Sequence, residues 1–293
     1  MITAPLSSIE RYIAFFSNNE LPVLRRTARM MAELKEEEDS VSARRLAAVV
    51  LQDPLMALRL LAYLEAHRRS SQNHDVTTID RAILMLGITP FFRKFSDLPT
   101  VEDFLGAHPK ALVGVLRVIG RSRNASRWAR DWALVRHDIE VDEITVAALL
   151  HEAAEILFWC FAPELMLRVT QLLHDTPGLR SAHAQHAMLK VAIGDVQVAL
   201  TRAWGLPQLL VTLMDPANAD SARVRNVILA TDLARHTANG WADPALPDDY
   251  TGIAELLHNS VPMVLRRLNV PEEHWPAAAR ASQDDGGEGA TAD

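Results

Sequence analysis

Apolar residues recur along most of this chain at the three- and four-residue spacing of amphipathic helices, and prolines and cap residues divide that pattern into legible segments. Leu21-Pro22 opens one such segment, with Val23, Leu24, Ala28, Met31 and Leu34 on its inner side. The acidic run Glu36 to Asp39 ends it, Ser40 or Ser42 can cap the next, and Leu46, Val49 and Val50 supply the buried face that follows. Asp53 at an N-cap and Pro54 at the first helical position predict a helix carrying Leu55, Leu58, Leu61 and Ala62 to about His67. After a polar loop, Arg68 to Val76, the stretch Thr77 to Leu86 predicts a short helix stopped by Gly87, and Thr89-Pro90 begins another.

Pro99, Gly106 and Pro109 crowd the segment 98–109, which reads as a linker. Beyond it, Leu112, Val115, Leu116, Ile119, Trp128 and Trp132 predict one long helix from about Lys110 to Trp132. A single hydrophobic helix is expected over about 143–161 and another long one over 181–204, and later prolines cut the remainder into short helices. The last residues, 282–293, have nothing to bury and read as disordered. The expected organisation is a helical extension over 1–20, two packed helical lobes over 21–97 and 110–281 joined by the linker, and the tail. No internal repeat is visible.

Composition agrees with an all-α chain: 293 residues, 49% hydrophobic, with only 12 glycines and 6% aromatics. The lone cysteine, Cys160, excludes an intrachain disulfide, and between Trp159 and Phe161 it reads as an inert core thiol. The N-terminus lacks the basic, apolar and small-residue succession of a secretory signal. No apolar run approaches the roughly 18 residues that span a bilayer, because His151, Glu152 and Glu155 interrupt the greasiest stretch. A cytoplasmic protein without a membrane partner is the expectation. The net charge of −7 argues against long nucleic acid.

The candidate chemistry centres on Leu149 to Phe158, where His151 and Glu152 sit side by side in an almost wholly apolar helix. Buried ionisable groups are costly unless a metal or a partner compensates them. Arg117, Arg121, Arg123, Arg127 and Arg130 follow one another along the long helix beside Trp128 and Trp132, a set able to bind an anion such as a nucleotide. The plainer reading is a solvated face paired with acids such as Asp131. Phe91, Phe92 and Phe95 form a candidate partner surface near the loop Arg68 to Val76, with ordinary core packing as the alternative. The literal His-Asp pairs His137-Asp138 and His174-Asp175 lie at helix ends, where both residue types have structural uses. The chain has no Gly-rich phosphate loop, Cys-x-x-Cys, His-Glu-x-x-His or Gly-x-Ser-x-Gly; Gly114 and Gly120 are isolated in a helix, where glycine permits close approach of a neighbour.

Taken in order, Leu21-Pro22, Leu46 to Val50, Asp53-Pro54-Leu55 with Leu58, Leu60 and Leu61, and Thr77 to Gly87 resemble the amino-terminal lobe of the HDOD domain, the HD-related output domain of bacterial signalling proteins. Ala148 to Glu152 resembles its equivalent of the HD helix, and Ala203-Trp204-Gly205-Leu206-Pro207 its closing element, so the resemblance covers about 21–215. The chain departs from the family pattern after Tyr63 and at Ile193. The resemblance implies an all-helical, two-lobed bundle, an amino-terminal lobe packed on an HD-like carboxy-terminal lobe, that relays signals through a regulatory protein partner without catalysis or cofactor. Related HD phosphohydrolases bind metal through two His and two Asp. By resemblance those positions correspond here to Asn124, His151, Glu152 and Asp232, a degenerate set for which no metal is expected and a polar network is. A phosphohydrolase with an altered site and a nucleotide second-messenger sensor are the alternatives.

Overall fold

The computed structural model of the chain describes residues 1–67, 76–277 and 279–280. Among these the fold is all-α; the sole extended pairing is an isolated parallel bridge between Val23 and Thr100. Local punctuation does what its chemistry requires. Ser42 accepts the Arg45 backbone N–H at 3.2 Å ahead of helix Ala43–Val50. Asp53 caps helix Pro54–Ala66 through the N–H groups of Leu55 and Met56, and its other carboxylate oxygen takes the Leu24 N–H at 2.7 Å. One buried carboxylate therefore ties the start of one helix to the chain entering another, Arg25–Glu36. Gly87, at φ +86°, turns the chain from helix Ile79–Leu86 into helix Ile88–Phe95.

The spine is the 27-residue helix Pro109–Val135, against which helices Val141–Leu150 and Ala222–His236 pack. Small residues on its inner faces, Ser122, Ala125, Ser126, Ala129 and Ala133, let those neighbours come close. Helix Ile9–Ser17, expected as an extension, lies within the core: Tyr12 and Phe16 are fully buried, with ring centroids 4.9 and 5.4 Å from Phe158. The Tyr12 hydroxyl donates to the Leu189 carbonyl at 2.9 Å.

Several elements depart from the sequence expectations. The segment 98–109 is built into the core, burying Val101 and Leu105 and pairing the Val23 N–H with the Pro99 carbonyl at 2.9 Å. Among the described residues nearly all buried apolar side chains form one cluster running from Ile2 to Ala279. The expected helix over 181–204 is two, Ser181–Leu189 and Ile193–Ala203, with Lys190 left-handed at φ 62° between them. Leu189, Val191 and Ile193 are all buried, and a continuous helix would have spread such alternate residues around its circumference. Residues 141–161 are long and apolar enough to cross a membrane by length and composition, contrary to expectation, but 89% of the most apolar 18-residue stretch is buried inside the protein. The tail over 282–293, expected to be disordered, and nearly all of the loop from Arg68 lie outside the described residues.

Candidate functional site at the helix break

The hydrophobic helix breaks where its two ionisable residues stand. Helix Val141–Leu150 ends, His151 and Glu152 make a turn, and helix Ala153–Phe161 resumes. A break inside the core strands backbone groups that need partners. Gln197, from helix Ile193–Ala203, supplies them: its Oε1 accepts the Ala154 N–H at 2.7 Å, and its Nε2 donates to the Leu150 carbonyl at 2.9 Å. This buried side chain was not legible as a site residue, because nothing near it in sequence marks its role.

Glu152, whose side chain is 5% exposed, faces the spine. Arg121 donates to it through Nε and Nη2 at 3.2 and 3.0 Å, and through Nη2 to Glu155 at 3.0 Å. Arg235, one turn beyond Asp232 on helix Ala222–His236, stands 3.9 Å from the same Glu152 carboxylate and donates to Asp232 at 3.1 Å. Burial pushes the Glu152 carboxyl up, while Arg121 pulls it back. His151 lines the adjoining cavity, and burial together with the Arg235 charge lowers its pKa to about 4. It is therefore neutral at ordinary pH.

The four positions resembling HD ligands do not converge on a metal site. Asn124 is exposed, and it is Arg121, one turn earlier on the spine, that reaches the Glu152 carboxylate. Asp232 is engaged by Arg235. Among the described residues, no three His, Cys, Asp or Glu side chains gather closely enough to hold a metal ion. The donor set consequently does not fit a hydrolytic metal centre, since first-row and alkaline-earth ions need several well-placed anionic or imidazole ligands.

The arginine stripe splits between faces, as a rotation of about 100° per residue requires. Arg117 and Arg121 line the cavity, whereas Arg123 bonds Gln52 at 2.7 Å, Arg130 bonds Asp142 at 2.5 Å and Arg127 is exposed. Trp132 is fully buried, so it offers no stacking surface. Phe91, Phe92 and Phe95 are also buried, at 2% exposure or less, with Phe91 and Phe95 rings 5.0 Å apart. They are ordinary core packing, one of the two readings the sequence offered, and not a partner surface, because helix Ile88–Phe95 turns its apolar face inward. Both literal His-Asp pairs sit at helix ends: His137 is left-handed at φ 56°, Asp138 lies 3.3 Å from Arg136, and Asp175 accepts from Gln171 at 2.8 Å. Burial pushes the Cys160 thiol well up, in keeping with an inert core residue.

Among the described residues, two concavities adjoin these elements. The larger, of about 1120 Å³, adjoins the break and is walled by the spine, by helix Pro163–Asp175 and by helix Ile193–Ala203. Lys110, Arg202 and Arg235 line it, and the sequence reading had not singled them out. The smaller, of about 600 Å³, lies among Phe16, Arg59, Tyr63, Lys94 and Trp204. There the Trp204 indole donates to the Ser17 hydroxyl at 2.6 Å, and the Lys94 ammonium sits 5.2 Å above the Tyr63 ring.

The fold has clear relatives among solved structures. A response regulator, MmoQ, from Methylococcus capsulatus str. Bath is 18% identical and matches at a TM-score of 0.60 over 83% of this chain and 99% of that one. A virulence factor from Campylobacter jejuni is 16% identical and matches at 0.63 over 93% and 98%. These likenesses concern the fold. No curated protein sequence matches the chain. The family model for the HDOD domain matches residues 21–219, which spans the capped amino-terminal helices, the spine, the broken helix and the Trp204 element. By that match over more than half its length, the chain belongs to the HDOD domain family.

Proposed function

We propose that this protein is a non-catalytic regulatory output module that acts in the cytoplasm by binding another protein of a signalling system. The observation that carries the reading is the pair of guanidinium groups on Glu152: Arg121 at 3.0 Å and Arg235 at 3.9 Å hold the carboxylate that an HD-type metal would require. A bidentate arginine neutralises a carboxylate and satisfies its lone pairs, which leaves little for a cation. In this reading the helices of 21–97 and those from 110 onward act as two lobes, and the charged network keeps the break between helices in one shape. The fold likeness to a response regulator supports the same class of role.

The test is elemental analysis of the purified protein together with phosphodiester hydrolysis in the presence of manganese, iron or magnesium. The expected result is far less than one metal per chain and no turnover above that of a His151→Ala variant. A stoichiometric transition metal with turnover abolished by His151→Ala and Asp232→Ala overturns the reading in favour of a phosphohydrolase.

A further inference from the structure

We propose that the cavity of about 1120 Å³ beside the helix break binds a phosphate-bearing organic ligand of nucleotide size, its anionic group held by Lys110 and Arg117. Most charges on the wall have partners within it; Lys110, Arg117 and the exposed carboxylate of Asp195 do not. Arg121 answers Glu152 and Glu155, and Arg202 stands 3.2 Å from Asp215. Among the described residues Lys110 and Arg117 enter no ion pair, and both are exposed at the cavity wall. They lie two turns apart on one side of the spine, about 10 Å along the axis, a span their long side chains can close around one phosphoryl or diphosphoryl group.

Gly114 lies between them on the same side. An added Cβ there would come within 2.5 Å of the Trp159 ring, so the indole is seated against bare backbone between the two cations. Trp159 lines the cavity at 7% exposure, and its indole N–H finds no hydrogen-bond acceptor. Inorganic phosphate alone would leave most of the space empty, since the volume lies slightly above the usual range for small-molecule sites. Met166, Leu167, Val198 and Met214 add apolar wall suited to the body of an organic ligand, and Gln185 and Asn239 add hydrogen-bonding groups.

This inference concerns the isolated protein, so it stands or falls apart from the partner-binding reading. The experiment is calorimetric titration with GMP, GDP, cyclic di-GMP and inorganic phosphate of the full chain, of Lys110→Ala/Arg117→Ala and of Arg127→Ala. Arg127 is an exposed arginine of the same helix that does not line the cavity, which makes it the control. Exposed, unpaired side chains are dispensable for folding, and circular dichroism checks that each variant remains helical. The expected result is saturable binding of at least one nucleotide, stronger than that of phosphate, weakened about tenfold or more by the double variant and unchanged by Arg127→Ala. Arg117→Lys should retain part of the affinity, and Trp159→Phe should remove the fluorescence change that accompanies binding. Absence of saturation by every nucleotide up to about 1 mM, equal affinity for phosphate alone, or binding indifferent to the double variant overturns it.

Discussion

Arg121 grips the Glu152 carboxylate with two hydrogen bonds, Nε to Oε2 at 3.2 Å and Nη2 to Oε1 at 3.0 Å, and so ties the spine helix to the one break in the hydrophobic helix beside it. The same Nη2 reaches Glu155 at 3.0 Å, so a single cation stands between two carboxylates. Removing it leaves two negative charges facing each other in a largely desolvated place.

Arg121→Ala should therefore destabilise the protein by about 3–5 kcal/mol, the range for breaking a buried pair from one side. Replacing both partners, as in Arg121→Met/Glu152→Leu, should recover much of that loss. Urea unfolding followed by far-ultraviolet circular dichroism measures both. A single-variant loss under about 1 kcal/mol would make the pair no more than a surface salt bridge in effect.

His151 gives stability a pH dependence whose sign follows from its lowered pKa, about 4 in the folded protein. Unfolded, the imidazole titrates near 6.5, so between the two values the unfolded chain holds more protons. Stability contributed by the neutral ring is complete above about pH 6.5 and is lost as the pH falls towards about 4, by up to about 3 kcal/mol. Urea midpoints at several pH values across that window should fall more steeply for the wild type than for His151→Gln. Parallel curves would exclude the effect.

Gln197→Leu should cost about 2–4 kcal/mol, because it strands both the Leu150 carbonyl and the Ala154 N–H inside the core. Hydrogen exchange at Ala154 reads the local consequence. If that amide stays as protected as in the wild type, the glutamine is not what closes the break.

Gly114→Ala would bring a methyl group to 2.5 Å from the Trp159 ring, and overpacking of this kind costs about 1–3 kcal/mol. The cost should shrink in a Trp159→Leu background, where the ring is gone. A double-mutant cycle from thermal or urea unfolding gives the coupling, and additivity would show that the two residues do not meet. Gly120, with nothing within 4 Å of its added Cβ, should accept alanine without that penalty.

Phe92→Ala should act through stability, by about 3–5 kcal/mol, because the ring is 1% exposed and lies against Phe91 at 5.7 Å. A residue of a partner surface would instead leave the melting temperature nearly unchanged. Calorimetry of the variant separates the two outcomes directly.

Much of the fold was written in short-range chemistry. Asp53 before Pro54, Ser42 ahead of its helix and Gly87 after Leu86 act on backbone groups within a few residues of themselves, and each does in the structure what its position implied. The order of those signals also carried the family. Gly114 was legible as a point of close approach, although the ring that approaches it, Trp159, was not.

The candidate site was legible only in part. His151 and Glu152 stood out as ionisable residues in an apolar run, but the run read as one continuous helix because neither residue breaks a helix by itself. The break exists because Gln197, more than 40 residues downstream, can satisfy the Leu150 carbonyl and the Ala154 N–H. Asn124 was placed by resemblance, yet the side chain that meets Glu152 is Arg121, 31 residues away from it in sequence.

The sequence by itself determined that this chain is helical, where the capped helices between Ala43 and Leu86 start and stop, and to which family it belongs, because these depend on backbone capping and on the periodicity of apolar residues. Tertiary structure alone decided which arginines share a cavity, why Phe91, Phe92 and Phe95 are core, and why Lys190 adopts φ 62° to let Leu189 and Val191 both be buried. Those outcomes turn on which faces of separate helices meet, and a linear pattern specifies a face without naming its neighbour.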